Sequence, residues 1–209
     1  MSRIQGFGRA AAALLLLTLA ACGAAPPTVQ LANAVAMSRE QGGRFIGLVG
    51  PRTQHEEPFL GVPNTNFSAM RSWIDTANGE TIHQLYVEDS YFGAKRSWNG
   101  ASANGQALRF VPISVNEITC EQNCSYAEEF AAALSDPLLR ASPQGVQVRF
   151  TAQSGASKLI LVRGELVQKQ LAAVDQARAT LPTATAAVAP RFQSDSETEL
   201  PQGFRRQLR

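Results

Sequence analysis

The sequence predicts a mainly β fold: an antiparallel β-sandwich or partly open barrel of about seven strands with a C-terminal amphipathic helix. Val146, Val148, Phe150 and Ala152 alternate with Gln147, Arg149, Thr151 and Gln153, the period-two pattern of a strand with one buried and one wet face. The other apolar runs are short and bounded by Gly, Pro, Asn or Ser, which favours antiparallel pairing through tight turns over helical crossovers. Only at Glu165 to Arg178 does the period lengthen, with Val167, Leu171 and Val174 at helical spacing.

The chain starts with a segment of a different kind. Arg3 and Arg9 precede an unbroken run of apolar or small residues from Ala10 to Ala21, and Cys22 follows. A transmembrane helix needs roughly 20 apolar residues, so residues 1–21 read as a secretory signal rather than a span. Leu19-Ala20-Ala21-Cys22 resembles the lipobox of bacterial lipoproteins. That resemblance covers only the first part of the chain. It implies cleavage before Cys22, a diacylglycerol thioether on its sulfur, and acylation of the new amino terminus. Gly23 stands where an aspartate holds enterobacterial lipoproteins in the inner membrane, so the resemblance implies an outer-membrane anchor facing the periplasm.

Residues 22–43 read as the lipidated tether. Gly23 to Thr28 is small and proline-rich. Gln30 to Gln41 follows either as more tether or as a short helix with Leu31, Ala34, Val35 and Ser38 on one side, stopped by Gly42-Gly43.

The globular domain then occupies residues 44–179. Phe45 to Val49 is a first strand, ended by Gly50-Pro51. Arg52 to Asn66, broken by Pro58 and Pro63, is a loop. Phe67–Asp75 and Thr81–Ser90 flank Asn78-Gly79, which suits a two-residue hairpin turn. That register sets Ile74 opposite His83, Ser72 opposite Leu85 and Met70 opposite Val87. Arg71, Trp73, Ile82, Gln84 and Tyr86 fall on the other face. Gly93 to Gln106 reads as a loop, and Leu108 to Thr119 as a strand whose Pro112 requires an edge or a bulge. Ser125 to Leu134 is its hairpin partner, and Asp136-Pro137-Leu138-Leu139-Arg140 a capped helical turn. Lys158 to Val162 is the last strand before the helix. Residues 180–209 are rich in Thr, Ala, Pro, Ser and Glu, too poor in apolar surface to offset ordering entropy, and read as a disordered tail.

Composition narrows the function classes. A formal charge of +2 offers no field for nucleic acid. With Cys22 lipidated, Cys120 and Cys124 remain as an even pair, for which an oxidising compartment makes a disulfide the default. An extended chain would hold their Cα atoms roughly 13 Å apart. The chain must therefore reverse through Glu121-Gln122-Asn123, with Ile118 facing Tyr126.

Motifs for catalysis fail one by one. His55-Glu56-Glu57 has Phe59 where a zinc protease needs its second histidine. A zinc site from Cys120, Cys124, His55 and His83 would need reduced thiols, so no metal or cofactor is expected. Ser154 to Lys158 lacks the Ser-x-x-Lys spacing. His83, in a strand beside a turn, reads as a hydrogen-bonded structural residue. Glu88-Asp89 and Glu128-Glu129 point to opposite faces within each strand, so neither doublet forms an acid–base pair by itself. Arg71, Trp73 and Tyr86 form an Arg–aromatic patch suited to a partner.

The expectation is a non-enzymatic envelope lipoprotein, a binding or structural module touching an envelope protein or cell-wall partner. The alternatives are an envelope hydrolase using carboxylate and tyrosine chemistry, or an adaptor subunit of an envelope assembly. Phe204 to Arg209 is a basic end able to meet anionic phospholipid or cell-wall polymer.

Overall fold

A computed structural model describes residues 34–121 and 123–181. The signal segment, Cys22, the tether up to residue 33 and the tail from residue 182 lie outside the described residues. Eleven strands form two antiparallel sheets that do not close into a barrel. The larger runs β1 (Ala36–Glu40), β2 (Phe45–Val49), β4 (Phe67–Asp75), β5 (Thr81–Phe92), β9 (Ser125–Leu134) and β8 (Phe110–Thr119), with β3 (Thr53–Gln54) paired beside β2 on β4. The smaller runs β11 (Ser157–Arg163), β10 (Gly145–Ala152), β6 (Trp98–Ala103) and β7 (Gln106–Leu108). A short helix α1 (Asp136–Arg140) and the long α2 (Gly164–Ala179) complete it.

The inner faces meet in one core. Met70, Leu85, Val87 and Phe130 of the larger sheet pack with Trp98, Val148, Phe150 and Ile160 of the smaller one. Phe130 and Phe150 are in edge contact at 4.9 Å between ring centroids. Four strands cannot cover seven, and α2 fills the difference. Its Leu166, Val167 and Leu171 join the inter-sheet core, while Val174 and Ala177 cover Ile46, Leu48 and Ile74 beyond it.

All seven sequence-read strands are present, and four more accompany them. The helix expected over Gln30–Gln41 is corrected: Ala36–Glu40 is a strand, paired antiparallel with β2 from Ala36↔Val49 to Glu40↔Phe45. The open edge of β2 offers backbone partners that an isolated helical turn lacks. Gly42 and Gly43 sit at φ 67° and 94°, so they form the hairpin turn rather than a helix stop. The sheet thus begins inside the segment read as tether.

The β4–β5 turn is also corrected. Asp75 N–H donates to Glu80 O and Gly79 N–H to Asp75 O, so the turn is longer than two residues. The register is Ile74↔Thr81, Ser72↔His83 and Met70↔Leu85, two positions from the expected one. A shift of two keeps every side chain on its face, so the expected faces survive. The two-residue Asn-Gly turn is instead at Asn104-Gly105, both with positive φ, between Ala103 and Gln106. It joins β6 and β7 within the stretch expected to be a loop.

The expected strand Leu108–Thr119 is split. β7 ends at Leu108 in the smaller sheet, and β8 starts at Phe110 in the larger one. Pro112 meets both of its requirements, lying on an edge strand and at a register shift. Ser135, rather than Asp136, caps α1 through its hydroxyl. Beyond α2, Leu181 packs against the Ile46–Leu48–Ile74 cluster, so the start of the segment read as tail is docked.

Candidate functional site

The acidic doublets point to opposite faces within their strands, as expected, and the β5–β9 register then pairs them. Asp89 lies opposite Glu128, and Glu88 opposite Glu129. Asp89 and Glu128 turn inward and are 0% and 2% exposed. Asp89 accepts from Lys158 Nζ, from Arg96 at 2.7 Å and from Trp98 Nε1 at 2.9 Å. Glu128 accepts from the Tyr91 hydroxyl and from the backbone N–H groups of Ser97 and Trp98 at 3.0 and 3.2 Å. Burial, reinforced by Glu128, pushes the Tyr91 phenol well above its usual range.

Lys158 carries the cluster toward the surface. Its Nζ meets the exposed Glu56 carboxylate at 2.7 Å and lies 3.4 Å from His55 Nδ1. Nδ1 therefore accepts, and Nε2–H donates to the Glu88 carbonyl at 2.9 Å. Burial first, and then the charge of Lys158, lower the His55 pKa. Glu88 accepts from the Ser90 hydroxyl and Asn66 N–H, and burial raises its pKa. Asn66 and Ser97 both hold left-handed backbone, at φ 55° and 56°, and each aims an N–H at a buried carboxylate. Such local strain persists where the surroundings fix it.

A second group has the composition of a catalytic triad. Ser72 Oγ lies 2.9 Å from His83 Nδ1, and His83 Nε2 lies 3.2 Å from Asp136 Oδ1. Gln170 Nε2 donates to Ser72 Oγ at 2.9 Å, so the Ser72 hydroxyl donates a hydrogen bond to Nδ1 and His83 donates from Nε2 to Asp136. Ser72 is 0% exposed beneath α2, which denies a substrate any approach. The chain ties β4, β5, α1 and α2 together, and His83 is the hydrogen-bonded structural residue the sequence suggested.

Arg71, Trp73 and Tyr86 share a face, with the Arg71 guanidinium 3.4 Å from the Tyr86 ring centroid. They are 4%, 4% and 1% exposed, so the expected surface patch is corrected to a buried stack. Burial lowers the Arg71 pKa to about 10.

Cys120 and Cys124 are joined in a disulfide at the tip of the β8–β9 hairpin. Both thiols are thereby used, which removes the zinc set with His55 and His83. A bulge between Glu117 and Thr119 puts Glu117 opposite Tyr126, so the expected Ile118–Tyr126 pair does not form. Among the described residues there is no group of three or more His, Cys, Asp or Glu able to hold a metal. No helix among them is long and apolar enough to cross a membrane.

Next to the ion cluster lies an apolar rim. Phe59 packs on Phe92 with ring centroids 4.7 Å apart. Leu60, Val62 and Phe92 are 72%, 50% and 55% exposed. The signal for Lys158 was available in the sequence: it shares its parity with Ile160 and Val162, which are buried, while Leu159 and Leu161 are outside. Comparison with protein-family models, with curated proteins and with solved structures finds no match to this chain.

Proposed function

We propose that this chain is an envelope lipoprotein, lipidated on Cys22 and held at the outer membrane facing the periplasm. Its β-sandwich acts as a non-enzymatic binding or structural module for an envelope protein or cell-wall partner. The lipobox-type Leu19-Ala20-Ala21-Cys22 supports the anchor. The observation that carries the binding role is the exposed rim of Leu60, Val62 and Phe92 above ions that already have partners. Lys158, Asp89 and Glu128 lock the sheets, and the outward side chains are apolar and sit mainly on a loop, as recognition surfaces do.

Two measurements test this. Mass spectrometry of the mature chain should find acylation at residue 22, and Cys22→Ser should release the protein from membranes. A Cys22→Ser chain still cleaved and membrane-bound would overturn the anchor. Crosslinking in cells, followed by capture, should recover one reproducible envelope partner, and recovery of none would overturn the binding role.

A second reading, an envelope hydrolase, draws on the convergence of Asp89, Glu128 and Tyr91. It requires turnover of purified peptidoglycan or phospholipid that Glu128→Gln abolishes.

A further inference from the structure

We infer that the apolar rim docks into the lipid bilayer carrying the anchor, with Leu60 and Phe92 inserting at its interface. The inference rests on the proposed lipidation of Cys22. Strand directions point the start of β1 toward the rim. The loop between β3 and β4 leaves and returns where Gln54 pairs with Phe67. Val87 pairs with Ser68, and β5 continues five residues beyond it to Phe92, opposite Ser125. β2 runs toward this end and Ala36 pairs with its last residue, Val49. Because β1 is antiparallel to β2, its first residue, Ala36, is at its rim-facing end.

Residues 22–35 lead from the cysteine to Ala36. Such a length extends to at most ~50 Å. By register Ala36 is level with Gln84, eight residues or about 26 Å below Phe92 along β5, a distance within the full extension of residues 22–35. Once tethered, the rim meets the bilayer intramolecularly, at an effective concentration that makes a small apolar contact sufficient. Leu60 is held outward at φ 52°, a strained conformation for a bulky side chain. Its neighbours are of mixed charge, with Glu56, Glu57 and Lys95 exposed. Docking is therefore by apolar insertion and insensitive to salt.

The full acylated chain provides the test. With Cys22 acylated and Cys120 bonded to Cys124, Leu60→Cys supplies the one reactive thiol for an environment-sensitive dye. Ala77→Cys, exposed in the β4–β5 turn at the opposite end, is the control. In vesicles of phosphatidylethanolamine and phosphatidylglycerol, the dye at residue 60 should shift to the blue and brighten several-fold. Spin-labelled lipid should quench it, and the dye at residue 77 should stay in water. A water-like signal at residue 60 on chains that float with the vesicles would overturn the docking. So would a blue shift that lipid fails to quench, since a second copy or another protein would then cover the rim. Failure of the anchor itself reads differently: the unsubstituted chain would take the dye at Cys22.

Discussion

Lys158 of β11 and Asp89 of β5, 69 residues apart in sequence, form a buried ion pair that crosses from one sheet to the other. Asp89 is the hub, because Arg96 and Trp98 also donate to it. Asp89→Asn removes the buried charge that faces Arg96 and leaves Lys158 only the exposed Glu56, and should destabilise by about 3–5 kcal/mol. Lys158→Met leaves Asp89 two donors and should lose only about 1–3 kcal/mol. Urea unfolding of both variants checks the order. A larger loss in Lys158→Met would mean that the pair, not the hub, dominates.

His83 makes stability depend on pH. Burial holds its pKa below the ordinary 6.5, so the folded chain keeps it neutral where the unfolded chain takes up a proton. This contribution is complete above 6.5 and is lost as pH falls through that value toward the lower folded pKa. His55, lowered for the same reason, adds with the same sign. The melting temperature should fall between about pH 7.5 and 5.5. His83→Gln should melt lower throughout and fall less across that window. Parallel curves would show that His83 does not titrate.

The disulfide closes a small loop, so its constraint on the unfolded chain is worth only about 2 kcal/mol. Cys120→Ala/Cys124→Ala should therefore fold and melt lower by about 4–8 °C. Peptide mapping without reductant should find the two cysteines bonded.

Gly164 starts α2 where no other residue fits. A Cβ there would lie 2.1 Å from Pro143 O and 2.8 Å from Gln144 C. Those contacts are backbone and cannot turn aside, so Gly164→Ala should cost about 1–3 kcal/mol in denaturant unfolding.

Leu181 packs on the far end of the α2 cluster. A chain ending at Ala179 should melt about 2–4 °C below one ending at Leu181, a loss of about 1 kcal/mol. Equal melting temperatures would show that the contact contributes nothing.

The strands were legible because their alternation is set by a buried face. Val146 to Ala152 and Phe67 to Asp75 follow their expected spans within a residue. Turns were harder. Three Asn-Gly pairs look alike in sequence, yet Asn99-Gly100 lies within β6 and only Asn104-Gly105 forms the two-residue turn. At Asn78-Gly79, the Asp75 and Asn78 side chains accept from Ala77 and Glu80 N–H and support a longer one. The ion cluster was illegible for another reason. Glu88-Asp89 and Glu128-Glu129 could be sorted to faces by parity, but which doublet faces which depends on the β5–β9 register. Lys158 was visible as an odd member of a strand, but its partner Asp89 lies in the other sheet. Leu60 and Phe92 stood out only once their exposure was known.

The way the smaller sheet is assembled constrains the order of folding. β6 and β7 form early as a local hairpin, but β6 pairs next with β10, Ser102 against Arg149, 47 positions later. Between them the chain crosses at Arg109 and builds the β8–β9 hairpin of the larger sheet. Until β10 arrives, one side of β6 presents unpaired N–H and C=O groups to any other extended chain. Long-range pairing of this kind is slow. While the β6 edge stands open, it is a place where another extended chain can pair before the sandwich closes.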